Sequence, residues 1–148
     1  MKTSQKGIDL IKKYEGFRAT SYLCPASVPT IGYGATYYPN GRKVTMDDAP
    51  ITEQEAEYML RKMLTSYENG VNRYVQKPIN QNQYDALVSF AYNLGLGALK
   101  SSTLLRKVNQ DPDDKSIEKE FLKWVKAGGN VLKGLVKRRL EESQLYFS

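Results

Sequence analysis

The sequence predicts an α+β fold: a helix, a small antiparallel sheet, then a helical bundle. Three observations carry that reading. Apolar residues near the N-terminus recur at helical spacing, residues 20–45 change texture to Tyr, Thr, Val, Gly and Pro, and two capping boxes further on each open an apolar stripe at three- and four-residue steps. No internal repeat and no long linker interrupts the chain, so a single domain over 1–148 is expected, with lobes of roughly 14–60 and 1–13 plus 61–148.

Taken in order, Ile8, Leu10, Ile11 and Tyr14 predict a helix over 4–14, with Glu15 at its very end and Gly16 as the left-handed terminator. Pro39-Asn40-Gly41 is a turn signal that predicts a hairpin between 35–38 and 43–45. Thr52 and Glu55 form a capping box, and the stripe from Ala56 to Tyr74 predicts one long helix over about 53–75, a connector for two lobes. Asn80 and Gln83 open a helix that stops at Gly95. Ser101 or Ser102 is placed to cap 104–108. Asp113 or Asp114 opens a helix through Trp124 and Val125 that ends at Gly128-Gly129, and a last helix covers about 134–146.

Composition narrows the chemistry. The 148 residues include 22 Lys and Arg, 16 Asp and Glu, no His and one Cys, for a formal charge of +6. Without imidazole there is no Ser-His-Asp or Cys-His nucleophile and no histidine zinc site, and one thiol makes neither a disulfide nor a thiolate cluster. No histidine or thiolate metal site is therefore expected. No apolar run approaches the roughly 20 residues of a membrane span, and residues 1–14 alternate Lys with Ile and Leu instead of forming a signal-peptide block. The basic residues concentrate at the two ends. That suits solubility or attraction to a polyanion.

The most informative stretch is Tyr14-Glu15-Gly16-Phe17-Arg18, then Tyr22-Leu23-Cys24-Pro25 and Pro29-Thr30-Ile31-Gly32-Tyr33-Gly34. It resembles the active-site segment of the phage-type lysozymes, glycoside hydrolase family 24, in which a Glu is followed after eight residues by Asp or less often Cys, and after five more by Thr before I-G-x-G. Glu15, Cys24 and Thr30 fall on those positions. Gln83 to Phe90 with Tyr92-Asn93-Leu94-Gly95 and Ser101-Ser102-Thr103-Leu104-Leu105 resemble the family's substrate-cleft segment, and Trp124, Ala127-Gly128-Gly129, Gly134-Leu135 and Arg138-Arg139 its C-terminal segment. Ala35 departs from the pattern, standing where many members carry a His and removing a partner for Glu15.

The resemblance implies a lysozyme-like fold and a muramidase that cleaves the β-1,4 bond between N-acetylmuramic acid and N-acetylglucosamine in peptidoglycan. Glu15 would be the general acid, a role that needs its carboxyl raised above the roughly 4.3 of a free Glu. Cys24 would act, as thiolate, as base or electrostatic stabiliser, and Thr30 would position water. Tyr92, Asn93, Ser102 and Thr103 are the substrate-binding candidates. The resemblance further implies a monomeric phage or prophage endolysin, held in the host cytoplasm until a separate holin-type pore releases it onto the wall, with no metal, no cofactor, no nucleic-acid partner and no stable membrane anchor.

Two other readings stay open at this level. A lytic transglycosylase needs the essential Glu but no water-activating second group. A non-enzymatic polyanion or membrane-binding module rests on the last helix, with Lys133, Lys137, Arg138 and Arg139 beside Leu135, Leu140, Leu145 and Phe147.

Overall fold

The computed structural model describes residues 1–148. The order is α1 (Gln5–Glu15), β1 (Arg18–Leu23), β2 (Pro29–Gly32), α2 (Glu53–Tyr74), α3 (Gln81–Leu94), α4 (Leu96–Ser101), α5 (Thr103–Gln110), α6 (Ile117–Leu122), β3 (Lys126–Ala127), β4 (Asn130–Val131) and α7 (Lys133–Tyr146). The chain divides into two compact units: a hairpin unit, Ile11–Thr65, and a helical unit made of Met1–Leu10 and Ser66–Ser148.

In the hairpin unit α1 ends on Glu15, because Gly16 takes φ +75° and returns its N–H to the Lys12 carbonyl at 3.0 Å. The chain then enters an antiparallel ladder with Arg18 opposite Gly32, Tyr22 opposite Thr30 and Leu23 opposite Pro29, broken by an irregularity between Arg18 and Tyr22. The sheet therefore lies earlier than the Pro39-Asn40-Gly41 signal places it. That turn does form, with Gly41 N–H donating to the Tyr38 carbonyl at 2.9 Å, but its arms meet at a single bridge, Tyr37 with Lys43, and make no ladder. Ile31, Ala35, Val44 and Met59 make the small core, with Tyr38, Ile51 and Met63 packed around it. Ala35 is fully buried there. The Thr52–Glu55 capping box opens α2, Glu55 N–H donating to Thr52 Oγ1 at 3.1 Å.

The helical unit is built round α3, buried continuously from Gln83 to Ala91. Its start is the reciprocal box of Asn80 and Gln83, at 2.8 and 2.9 Å, and its end is Gly95 at φ +98°. Helix α7 packs on α3 and on α6. Phe90 sits edge-on to Phe121 and Trp124 at ring separations of 5.8 and 5.6 Å. Two buried carboxylates receive the N-terminal N–H groups of the chain: Thr3 N and Oγ1 donate to Glu68 at 2.7 Å each, and Ser4 N donates to Asp85 at 3.0 Å. Gly7 must remain glycine, since a Cβ there would stand 2.8 Å from the Asp85 carboxyl carbon.

The helix expected to run through Trp124 to Gly128 stops at Leu122. Gly128 and Gly129 have φ of +59° and +83°, the pair of left-handed residues that a two-residue hairpin turn requires, and they join β3 to β4. Of the two Asp candidates at the start of α6, Asp114 accepts from Ser116 N at 2.9 Å while Ser116 occupies the cap. No helix is long and apolar enough to cross a membrane.

Candidate active site

Glu15 is half-buried at the C-terminal end of α1, the negative end of the helix dipole. Two residues later the chain starts β1, and β1 leads to the turn that carries Cys24. This turn is closed by backbone bonds, Cys24 N–H to Val28 O at 3.1 Å and Ser27 N–H to Cys24 O at 2.8 Å, with Ser27 itself left-handed at φ +61°. Strand β2 returns with Thr30, nearly buried, whose hydroxyl donates to the Val28 carbonyl at 2.9 Å. Hydrogen bonds from the backbone, at Val28 first and then at Ala26, hold the half-buried Cys24 thiol below its ordinary range, outweighing its desolvation. A thiolate is what this turn favours.

A polar brace in the same unit fixes the end of α1 and the Gly32-Tyr33-Gly34 turn. Lys12 pairs with Glu53 and, at 2.7 Å, with Glu57, and the Tyr33 hydroxyl donates to Glu53 at 2.8 Å. Glu53 first and Glu57 second hold the Lys12 ammonium above the ordinary lysine range. Burial and the bond to Glu53 push the Tyr33 phenol up to about 12. The Tyr33 ring also meets Phe17 at 5.7 Å, just after Glu15. Sequence reasoning passed over this brace, because its members lie far apart in the chain and none is unusual alone.

In the helical unit, Tyr92 is half-buried and edge-on to Tyr67 at 5.2 Å. Asn93 accepts from Arg139 at 2.7 Å. Ser102 is the cap of α5: its hydroxyl accepts from Leu105 N at 3.0 Å and donates to Leu99 O at 2.7 Å, while Ser101 bonds back to Gly97. Thr103 follows as the first residue of α5, half-buried.

A family model described as Phage lysozyme matches residues 12–142. The chain belongs to the phage lysozyme family. It is 45% identical to the endolysin of Bacillus phage B103 over 100% of this chain and 55% of that protein. It is 41% identical to the endolysin of Acyrthosiphon pisum secondary endosymbiont phage 1, over 100% of this chain and 99% of that one. Among solved structures, that of a P22 lysozyme mutant superposes with a TM-score of 0.91 at 35% identity, covering 100% of this chain and 99% of the other. The chain spans about half the length of the Bacillus phage relatives that it matches.

The basic face read into the last helix is not a face. Arg138 and Arg139 are buried and share Glu142, with Arg138 Nε at 3.3 Å and Arg139 Nε at 2.7 Å. Spacing gives the signal for this cluster, because Glu142 follows the two arginines by four and three residues. With two of its four cations inside the protein, α7 offers little support for a polyanion-binding module.

Proposed function

We propose that this protein is a muramidase acting on peptidoglycan as a phage endolysin, with Glu15, Cys24 and Thr30 as its catalytic set. The observation that carries the reading is the hairpin unit itself. One helix end, one tight turn and one returning strand supply a carboxyl group, a thiol biased toward thiolate and a hydroxyl, in the order and spacing of the family.

Glu15 protonates the glycosidic oxygen as the bond to the anomeric carbon breaks and positive charge builds on the ring. The Cys24 thiolate opposes that charge, or takes the proton of the water whose oxygen forms the new bond to the anomeric carbon. A free thiol is only a few per cent ionised at pH 7, so the lowered Cys24 is what makes this position workable. Thr30 gives its proton to the Val28 carbonyl, leaving its lone pairs to orient a water. Tyr92, Asn93, Ser102 and Thr103 contact the glycan. The protein waits in the host cytoplasm for a holin-type pore and acts as a monomer.

Digestion of purified peptidoglycan with mass analysis of the products tests this. Fragments with a reducing N-acetylmuramic acid end are expected. Products ending in 1,6-anhydro-muramic acid would replace the hydrolase with a transglycosylase, and absence of cleavage would overturn the enzymatic reading.

A further inference from the structure

Asn93 lies near the C-terminal end of α3, half-buried, with its amide oxygen accepting from Arg139 Nη2 at 2.7 Å. An Asn amide is two-sided: the oxygen only accepts and the nitrogen only donates. A guanidinium only donates. Arg139 therefore decides which end of the amide faces it, and Nδ2, which makes no hydrogen bond within the protein, is turned the other way.

Arg139 is itself immobilised. It is fully buried, its Nε stands 2.7 Å from Glu142 Oε1 as a charge contact off the hydrogen-bond line, and its Nη2 also donates to Glu142 Oε2 at 3.2 Å. Its guanidinium carbon lies 5.3 Å from the Phe90 ring centre. Glu142 is held in turn by Ser89 Oγ at 2.5 Å and Arg138 Nε at 3.3 Å. Four buried polar side chains from α3 and α7, Ser89, Arg138, Arg139 and Glu142, thus fix one half-buried amide. For stability alone the arrangement is costly, since the cluster gathers two cations round one anion inside the protein.

We propose that Arg139 is a positioning residue that locks the Asn93 amide with its oxygen inward, so that Asn93 offers substrate a donor-only contact for a carbonyl oxygen. The N-acetyl groups of the glycan supply that carbonyl. This rests on the muramidase reading and names how one of its contacts is oriented. A free amide would present its oxygen to the same carbonyl part of the time, placing acceptor against acceptor.

The test is Asn93→Asp. It keeps the shape, gives Arg139 a charged acceptor and removes the NH2 donor. Steady-state hydrolysis of soluble peptidoglycan strands is measured together with thermal melting. The expected result is a melting temperature at or above the parent's with KM raised about tenfold, one hydrogen bond's worth, and the loss in KM instead of kcat. Arg139→Lys, whose single ammonium does not reproduce the planar fork, should raise KM in the parent and add little to Asn93→Asp.

An unchanged KM in a stable Asn93→Asp protein overturns the proposal. So does a lowered melting temperature, which would mean that the amide oxygen does not face Arg139, and so does full additivity of the two variants. If the parent cleaves nothing, the muramidase reading has failed separately. Calorimetric titration with N-acetylglucosamine oligomers then decides the Asn93 contact alone: affinity lost in Asn93→Asp supports it, and equal affinity or no binding to the parent overturns it.

Discussion

The two units are stabilised by different physics. The helical unit has a large apolar interior in which Phe90, Phe121, Trp124 and Tyr146 pack ring against ring, and its polar clusters at Asp85, Glu68 and Glu142 are buried with their partners. The hairpin unit has a small apolar cluster of Ile31, Ala35, Val44 and Met59 and is further tied by polar braces, Lys12 with Glu53 and Glu57, Tyr33 with Glu53, and the ligands of Asp48. The proposed chemistry sits in the second kind of unit. Its groups lie on a helix end and a turn, where backbone N–H groups are free to hold a thiolate. The difference teaches that rate and stability should separate by unit.

The strongest test of that separation is Glu15→Gln. It keeps the shape of the side chain and removes the transferable proton, so wall lysis should fall about a hundredfold or more while the melting temperature stays put. Residual lysis within a few-fold of the parent would remove Glu15 from the mechanism. A large loss of stability would instead show that the helix end is a structural element.

Next in size is the Cys24 series. Cys24→Ala should lose about ten- to a hundredfold in hydrolysis, and Cys24→Asp should retain or raise it. The pH dependence carries the sign. A thiol held below its ordinary value ionises earlier, so the rising limb of the native enzyme should lie below the roughly 8.5 of a free thiol, and that of Cys24→Asp several units lower. Full activity in Cys24→Ala would leave Glu15 and Thr30 as the whole set.

What was legible in the sequence was local. Both capping boxes form as read, because a side chain bonding a backbone N–H three residues away needs no tertiary partner. The end of α1 at Glu15 and Gly16 is equally local. Gly128-Gly129 was misread because a helix terminator and a hairpin turn make the same demand for positive φ, and the pairing of Lys126 with Val131 decides between them. Arg138 and Arg139 looked like a solvated face because their burial depends on α3, some 49 and 46 residues away at Ser89 and Asn93. Ser102 was readable as a cap, and its two backbone bonds form that cap.

The smallest effect, and the one that probes the hairpin unit's own stability, is expected at Asp48. Its carboxylate accepts from Thr45 N at 2.8 Å, Thr45 Oγ1 at 2.7 Å, Tyr38 Oη at 2.7 Å and Arg42 Nη1 at 3.2 Å, and so gathers the loop after the Pro39 turn. The Thr45 backbone bond, then Tyr38 and Thr45 side chains, hold the Asp48 carboxyl well below the usual carboxylate range. A depressed folded-state value means that the stabilisation is complete above the unfolded value of about 3.9 and is lost as pH falls through the folded one. Asp48→Asn should therefore lower the melting temperature modestly at pH 7, and the gap from the parent should shrink as the buffer is taken to pH 3 and below. Amide protection at Val44, whose N–H donates to the Thr36 carbonyl at 2.9 Å, should fall in the variant at pH 7 while protection along α3 does not. A gap that persists undiminished in acid would show that the carboxylate charge is not what holds the loop, and equal loss of protection in α3 would show that the two units do not separate as their construction implies.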